Sequence, residues 1–521
     1  MPRFGRVVIH PLTLSPSMIT RPHRFTFCLL FTIALLLSSC SSAPVATPTP
    51  RIPTPIPTSP ALPDASPTAA STSNGQPTTP PAPTRPQYAI QVTLDYANKS
   101  VAVDETITYP NHTAHPLTGM VLAVEPNLWQ SCFTLGSLAL DGSTVSSFAL
   151  DRHKLSFALP NVLPPGATVS IHIQYSLALP KLVQQHGVRP QIFGYSQLQM
   201  NLTDWYPFVV PNIGGQWVLH DPWYYGEHLV YDAADYVVQV KPADPAVTPI
   251  IASSGAPSAG ASQSSEGTTY TLTAGRTFAI SASTEYQTSS MQVGDVAVTS
   301  YYFPFYKGAG EAAMNTAAQA IQIYSQRYGP YSHKTLAVVL GDFNDGMEFS
   351  ALFFMARGAY NLYDGTFQNL TTTVSAHETA HQWWFEQVAS DQALNPWMDE
   401  GLAAYSEHVF YESAHPEAVD WWWSYWLPRV GGSQATSWVD TDIYSAGGFI
   451  PYTNGVYMRG ARFLDALRQR IGDQSFFAFL QDYLFQENGK IAAPSDFFHI
   501  LAAHTTTDYS DIVRQYFQNV Y

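Results

Sequence analysis

Two histidines four residues apart limit the possible folds of this chain more than any other feature. His377 and His381 flank a glutamate in the run His377-Glu378-Thr379-Ala380-His381. On an α-helix, positions i and i+4 share a face, so both imidazoles can reach one ion when this run is helical. Neutral imidazole suits Zn²⁺, and two histidines leave room for a third ligand and a water. Glu378 sits on a neighbouring part of the same turn, where it can contact that water without occupying the metal.

The third ligand expected is Glu400, which follows His381 after eighteen intervening residues. That stretch contains Asn395-Pro396, a natural turn between two helices. A helix–turn–helix hairpin would bring Glu400 beside the histidines. Glu386, five residues past His381, is expected on the same helix and pointing away. Glu407, seven residues past Glu400, lies about two turns along the same face and is expected behind the ligands or at the surface.

Around these residues the chain resembles the M1 family of metallopeptidases, the gluzincins that include aminopeptidase N and leukotriene A4 hydrolase. The resemblance rests on the His-Glu-x-x-His pair, its continuation His381-Gln382-Trp383-Trp384, the spacing to Glu400, and the context Trp397-Met398-Asp399-Glu400-Gly401-Leu402-Ala403. It implies one Zn²⁺ per chain on His377, His381 and Glu400, with Glu378 as general base.

Upstream, Gly346-Met347-Glu348 resembles the family's exopeptidase motif, although Asp345 and Phe349 depart from it. By that resemblance Glu348 binds the free α-amino group of a peptide, with Gly346 and Met347 in the same substrate-binding strand. A cation in a cleft needs such a carboxylate. Tyr457, in Tyr457-Met458-Arg459-Gly460-Ala461, matches the family's tyrosine that stabilises the oxyanion, in preference to the nearby Tyr452 and Tyr444. Gln199, before Trp205-Tyr206-Pro207, would be a second amine-binding residue from the first domain. The segment Trp421-Trp422-Trp423-Ser424-Tyr425-Trp426 is expected to pack between helices.

The N-terminus reads as targeting information. Arg21, His23 and Arg24 precede an apolar run, Phe25 to Leu37, too short to span a bilayer but suited to a signal peptide. Leu37-Ser38-Ser39-Cys40 resembles a bacterial lipobox, which implies cleavage before Cys40 and its lipidation. The start could be Met1 or Met18. From Ser41 to Gln87 the chain is mostly Pro, Thr, Ser and Ala, a composition that remains an extended stalk.

Two folded regions follow. From residue 88 to 290, period-two runs such as Ala89 to Leu94, Val101 to Ile107, Val169 to Ile173 and Tyr236 to Val240 predict antiparallel strands with one buried face. From 291 to 521 the spacing turns helical: Ala312 to Tyr328, the segments around His377 and Glu400, Arg459 to Ile471 and Gln474 to Phe485, with an apolar strand at Thr335 to Leu340. The fold class expected is α+β: an N-terminal antiparallel β-sandwich-like domain, then a mainly helical domain, which the M1 resemblance implies is a thermolysin-like zinc peptidase domain.

A net charge of −15 with 12% charged residues argues against nucleic acid as a partner. Only Cys132 of three cysteines falls in the folded part, so neither a disulfide framework nor a cysteine zinc site is available. The expected protein is a zinc aminopeptidase acting on extracellular peptides, a lipid-anchored lipoprotein of the bacterial cell membrane. The chain stops about fifty residues past the Tyr457 helix, so a short form without the family's C-terminal helical domain and with an open cleft is expected. The rival expectations are a zinc endopeptidase and a non-catalytic peptide-binding surface lipoprotein.

Overall fold

The computed structural model describes residues 83–183, 191–258, 267–432 and 437–521. The leader 1–40 with Cys40, and the stalk 41–87 as far as residue 82, lie outside the described residues. Among the described residues no helix is long and apolar enough to cross a membrane.

The four period-two runs all enter one sheet. Gln87–Asp95 pairs with Ser100–Pro110, which pairs with Thr168–Ala178, which pairs with Phe133–Leu140. On the other flank Gln87–Asp95 pairs with Ala234–Pro242. Tyr88, Ile90, Val92 and Leu94 alternate inward, as their spacing predicts. Two departures stand out. The Gln87–Asp95 and Ala234–Pro242 strands run parallel, so the sheet is mixed rather than wholly antiparallel. Glu105 takes an inward position at 0% exposure, and burial pushes its carboxyl well above the usual range, so it is neutral there. A second sheet built on Leu117–Ala123 and Lys154–Leu163 contributes Met120, Leu122, Leu155 and Phe157 to the same apolar core.

The expected domain boundary at 290/291 falls inside a strand. Gln287–Val293 pairs with Val296–Tyr302, and both belong to the following five-stranded sheet. There Val296–Tyr302, Thr335–Gly341 and Leu352–Ala356 run parallel, and the short strand Met347–Phe349 closes one edge antiparallel. The helix Lys307–Arg327 is the crossover between the first two parallel strands, burying Ala313, Ala317, Ile321 and Tyr324. Its end before Gly329-Pro330 follows the expected stop.

Further helices stack outward from it: Leu370–Ala380, Glu400–Ala414, Gly460–Ile471, Asp473–Glu487, and the last two, Pro494–His504 and Ser510–Tyr516. Trp397, fully buried, sits edge-on to Phe463, Phe497 and Phe517, tying the turn before Glu400 to the last helices. Truncating a buried aromatic of this kind to alanine costs about 3–5 kcal/mol, so the C-terminal helices hold that turn in place.

The β-rich and helical halves meet on Arg276, which is 1% exposed. Its guanidinium donates to the carbonyls of Glu386 at 3.0 Å, Gln387 at 3.1 Å, Lys490 at 2.8 Å and Tyr231 at 3.2 Å. Stripping such partners from a buried charge costs about 3–5 kcal/mol.

Candidate metal centre and active site

Asn369 caps the Leu370–Ala380 helix, its side-chain oxygen accepting from Thr372 N at 2.9 Å. The helix ends at Ala380, with His381 as its last capping residue. That single turn delivers the pair: His377 Nε2 is 3.0 Å and His381 Nε2 is 3.4 Å from the same Glu400 oxygen, Oε2. Ligand atoms of one zinc ion held at ~2.0–2.1 Å lie roughly 3.3 Å apart, so the three side chains already stand at ligand spacing. Their outer nitrogens are also taken. His377 Nδ1 donates to Glu407 Oε1 at 2.8 Å, and His381 Nδ1 to Asp399 Oδ1 at 2.5 Å. Carboxylates behind the imidazoles fix tautomer and ring orientation, as metal centres require.

Glu400 arrives differently from the expected hairpin. The eighteen residues between His381 and Glu400 form successive turns, a two-residue strand Ala389–Ser390 paired with Ile491–Ala492, and the tight turn Pro396–Met398. Glu386 is likewise not on the histidine helix. The chain turns at Phe385, whose φ is 150°, and Glu386 is buried against His333 Nε2 at 2.6 Å and Ser350 Oγ at 2.5 Å. It belongs to the seam around Arg276.

Glu407 does stand behind the ligands, and the tryptophan segment explains how it is held. Trp422–Trp426 is a π-helical turn, and Trp422 Nε1 and Trp426 Nε1 both donate to Glu407 Oε2, at 2.8 and 2.9 Å. The segment therefore packs as expected and also supports the metal centre. Sequence reading missed that role, because an aromatic run carries no sign of what its ring nitrogens reach.

Glu378 is buried, and its Oε2 has no hydrogen-bond partner. Burial pushes its carboxyl up to about 8, against the pull of His377 and His381. Gly346 makes room for it: a Cβ there would meet Glu378 Oε1 at 2.1 Å. Here the backbone passes close to a carboxylate, and any side chain at this position would push that carboxylate aside.

Glu348 lies on the edge strand Met347–Phe349, which is fastened to the histidine helix. Gln382 Nε2 donates to Phe349 O at 3.1 Å, and Ala351 N to Gln382 Oε1 at 2.9 Å. Glu348 Oε1 accepts from Gln392 Nε2 at 3.3 Å, and Gln392 also reaches Asp399 Oδ2 at 2.6 Å. Burial holds the Glu348 carboxyl well above the usual range; His381 opposes this, and Glu227, Asp399 and Glu400 add to it. A cationic ligand would reverse that.

Tyr457 stacks on His377 with ring centroids 5.9 Å apart, at 13°. It comes from another π-helical turn, Asn454–Arg459. Gly401 and Gly460 make this approach possible, since a Cβ on Gly460 would lie 3.0 Å from Gly401 Cα. Tyr452 is a neighbour at 6.0 Å. The Tyr457 hydroxyl is pushed well above its ordinary value by burial first and by Glu400 next, so it remains a donor.

Gln199 departs from expectation. It is fully buried, and its amide nitrogen is used within the fold by Asn201 Oδ1 and Tyr286 OH at 2.9 Å and Ser281 Oγ at 3.2 Å. Its oxygen accepts from Asp342 N. Gln199 is a buried amide bridging the two halves, with its nitrogen and its oxygen both engaged within the fold. Instead, Glu227 from the β-rich half shares a narrow crevice with Met347, Glu348 and Gln392. No motif in the sequence marks Glu227.

Residues 312–516 match the model of the peptidase family M1 domain. Aminopeptidase M1-D of Oryza sativa subsp. japonica is 24% identical over 193 residues, 34% of this chain and 21% of that protein. Aminopeptidase N of Lactobacillus delbrueckii subsp. lactis is 25% identical over 221 residues, 39% of this chain and 26% of that protein. The chain thus spans about a quarter or less of these curated relatives. Among solved structures, an M1 zinc metallopeptidase from Deinococcus radiodurans superposes with a TM-score of 0.61 at 19% identity, covering 84% of this chain and 94% of that one. The fold is that of the two-domain M1 metallopeptidases.

Proposed function

Because residues 312–516 form an M1 peptidase domain, we propose that this protein is a zinc-dependent aminopeptidase that removes N-terminal residues from extracellular peptides. The observation that carries the reading is one carboxylate, Glu348, tied through Gln392 and Asp399 to the His377–His381–Glu400 trio. A Glu348 oxygen lies within 4.8 Å of a His381 ring nitrogen, and an amine anchor that close to a metal centre selects the first peptide bond. A mutant of the Deinococcus radiodurans structure is described as bound to a Tyr-Ser-Ala substrate, which favours short peptides here as well.

The donor set fits Zn²⁺: two imidazoles with their outer nitrogens on carboxylates, and one glutamate. The ion, held by His377, His381 and Glu400, would activate a water and polarise the scissile carbonyl. Glu378 takes the water proton on its unpartnered Oε2 and delivers it to the leaving amine. Tyr457 stabilises the oxyanion by donating a hydrogen bond from its hydroxyl, which keeps its proton. Glu348, with Glu227 in the same crevice, holds the α-ammonium, and the Met347–Phe349 edge aligns the peptide backbone as an added strand. The lipid on Cys40 and the stalk belong to the same proposal, holding the enzyme at the outer face of the membrane.

The test compares cleavage of short peptides with free and acetylated N-termini. Cleavage of the free peptides alone supports the proposal. Equal cleavage of both sets makes the protein an endopeptidase, and bound zinc without turnover makes it a peptide-binding protein.

A further inference from the structure

A second trio of ligand-type side chains lies in the β-rich half. Glu125 stands on the short turn Glu125–Leu128, His153 between Ala149–Asp151 and Lys154–Leu163, and His228 in the loop before Ala234–Pro242. One oxygen and one nitrogen from each ring lie within 4.8 Å of one another. All three are buried, at 5%, 4% and 7% exposure.

Glu125 stands between the two imidazoles, one on each of its carboxylate oxygens. His228 Nε2 is 3.2 Å from Glu125 Oε2, yet it makes no aligned hydrogen bond. That is the relation His381 Nε2 has to Glu400 Oε2 at 3.4 Å in the catalytic centre, and the separation two ligands of one zinc ion show. His153 Nδ1 meets the other Glu125 oxygen, and the two rings lie 6.0 Å apart. On the far side of His153, its Nε2 is 3.6 Å from Asp221 Oδ1, a carboxylate that also pairs with Arg152. The donor set, two imidazoles and one glutamate, repeats that of the catalytic centre.

An ion would have a way in. Glu125 and His228 line a cavity of about 240 Å³ whose wall includes Met347 and Phe349. His228 also borders the crevice that holds Glu227 and Glu348.

We propose that Glu125, His153 and His228 form a second site for a divalent transition-metal ion, Zn²⁺ foremost, which pins the loop carrying Glu227. The one-zinc expectation from the sequence then becomes two. The test loads the full-length protein with Zn²⁺, removes free metal and counts bound zinc by mass spectrometry. About two ions per chain are expected in the wild type and about one in H228Q. Since H228Q could disturb folding, a second measurement destroys the catalytic centre with H377Q/H381Q, checks the fold by near-ultraviolet circular dichroism and loads Co²⁺. A visible Co²⁺ spectrum that disappears when H153Q is added supports the site. A wild-type count of about one that H228Q leaves unchanged, or a folded H377Q/H381Q protein that binds no Co²⁺, overturns the proposal and leaves a hydrogen-bonded trio.

Discussion

The catalytic trio and the Glu125–His153–His228 trio use the same chemical groups but are built in different ways. In the catalytic centre both imidazoles come from one helical turn, so backbone hydrogen bonds fix their separation. The carboxylates behind them, Glu407 and Asp399, are 6% and 2% exposed and are held in turn by Trp422, Trp426 and Gln392. The second trio draws each ligand from a different loop or turn, and Asp221 behind it has a side chain 66% exposed. Identical ligands thus acquire different rigidity from what stands behind them. The catalytic centre also adds Glu378, an acid on the ligand helix that is positioned for proton transfer.

The largest expected effect tests that added acid. Glu378→Gln should lower kcat about 10³-fold while bound zinc stays at the wild-type count. Loss of zinc with the activity would make Glu378 a ligand and break the parallel between the two trios.

Gly346→Ala places a methyl group where Glu378 Oε1 now lies. It should cost about 10²-fold in kcat with little change in melting temperature, because the carboxylate moves and the fold does not. Wild-type kcat in this variant would show that Glu378 acts from another position.

The outer carboxylates should separate the two centres further. Glu407→Gln is expected to weaken zinc at the catalytic centre about 10–100-fold in chelator competition. Asp221→Asn, at an exposed carboxylate 3.6 Å from its imidazole, should weaken the second ion less. Equal losses would mean that rigidity does not distinguish them.

The smallest effect is one of pH. In the metal-free protein burial pushes His377 down, but Glu400 and Glu407 more than offset it and hold it at about 10. Below that value a proton must leave before an ion binds, so zinc affinity should rise about tenfold per pH unit for each proton displaced. The folded pKa lies above the ordinary 6.5. Its contribution to apoprotein stability is therefore complete below about 6.5 and fades as pH rises toward about 10. Titrations across the neutral range should show affinity rising as apoprotein stability falls; a flat profile would mean His377 is already neutral.

What was legible in the sequence had a local period behind it. The alternation in Ala89 to Leu94 and the i, i+4 histidines each follow from geometry repeated along one element, and both are where expected. Glu400, Glu348 and Tyr457 were reached through their flanking motifs. The failures concern contacts made across the chain. Gln199 looked available because nothing near it announces Asn201, Ser281 and Tyr286 as partners 2, 82 and 87 residues away. Glu386 was read as a continuation of a helix that ends at Ala380, and the reversal at Phe385 has no glycine to mark it. Glu125, His153 and His228 share no spacing rule, so only folding brings them together.

The five-stranded sheet has a further consequence for how such a chain could be inherited. The stretch recognisable by descent, 312–516, begins inside the Lys307–Arg327 helix and omits the strands Gln287–Val293 and Val296–Tyr302 and the seam residue Arg276. It is a unit of sequence likeness without being a unit of folding. A gene fragment starting at that border would encode the ligands but leave Thr335–Gly341 as a raw sheet edge, and the Glu386 carbonyl without its guanidinium. A segment lifted out at that border therefore has to carry the preceding β-strands with it to keep the sheet and the seam intact.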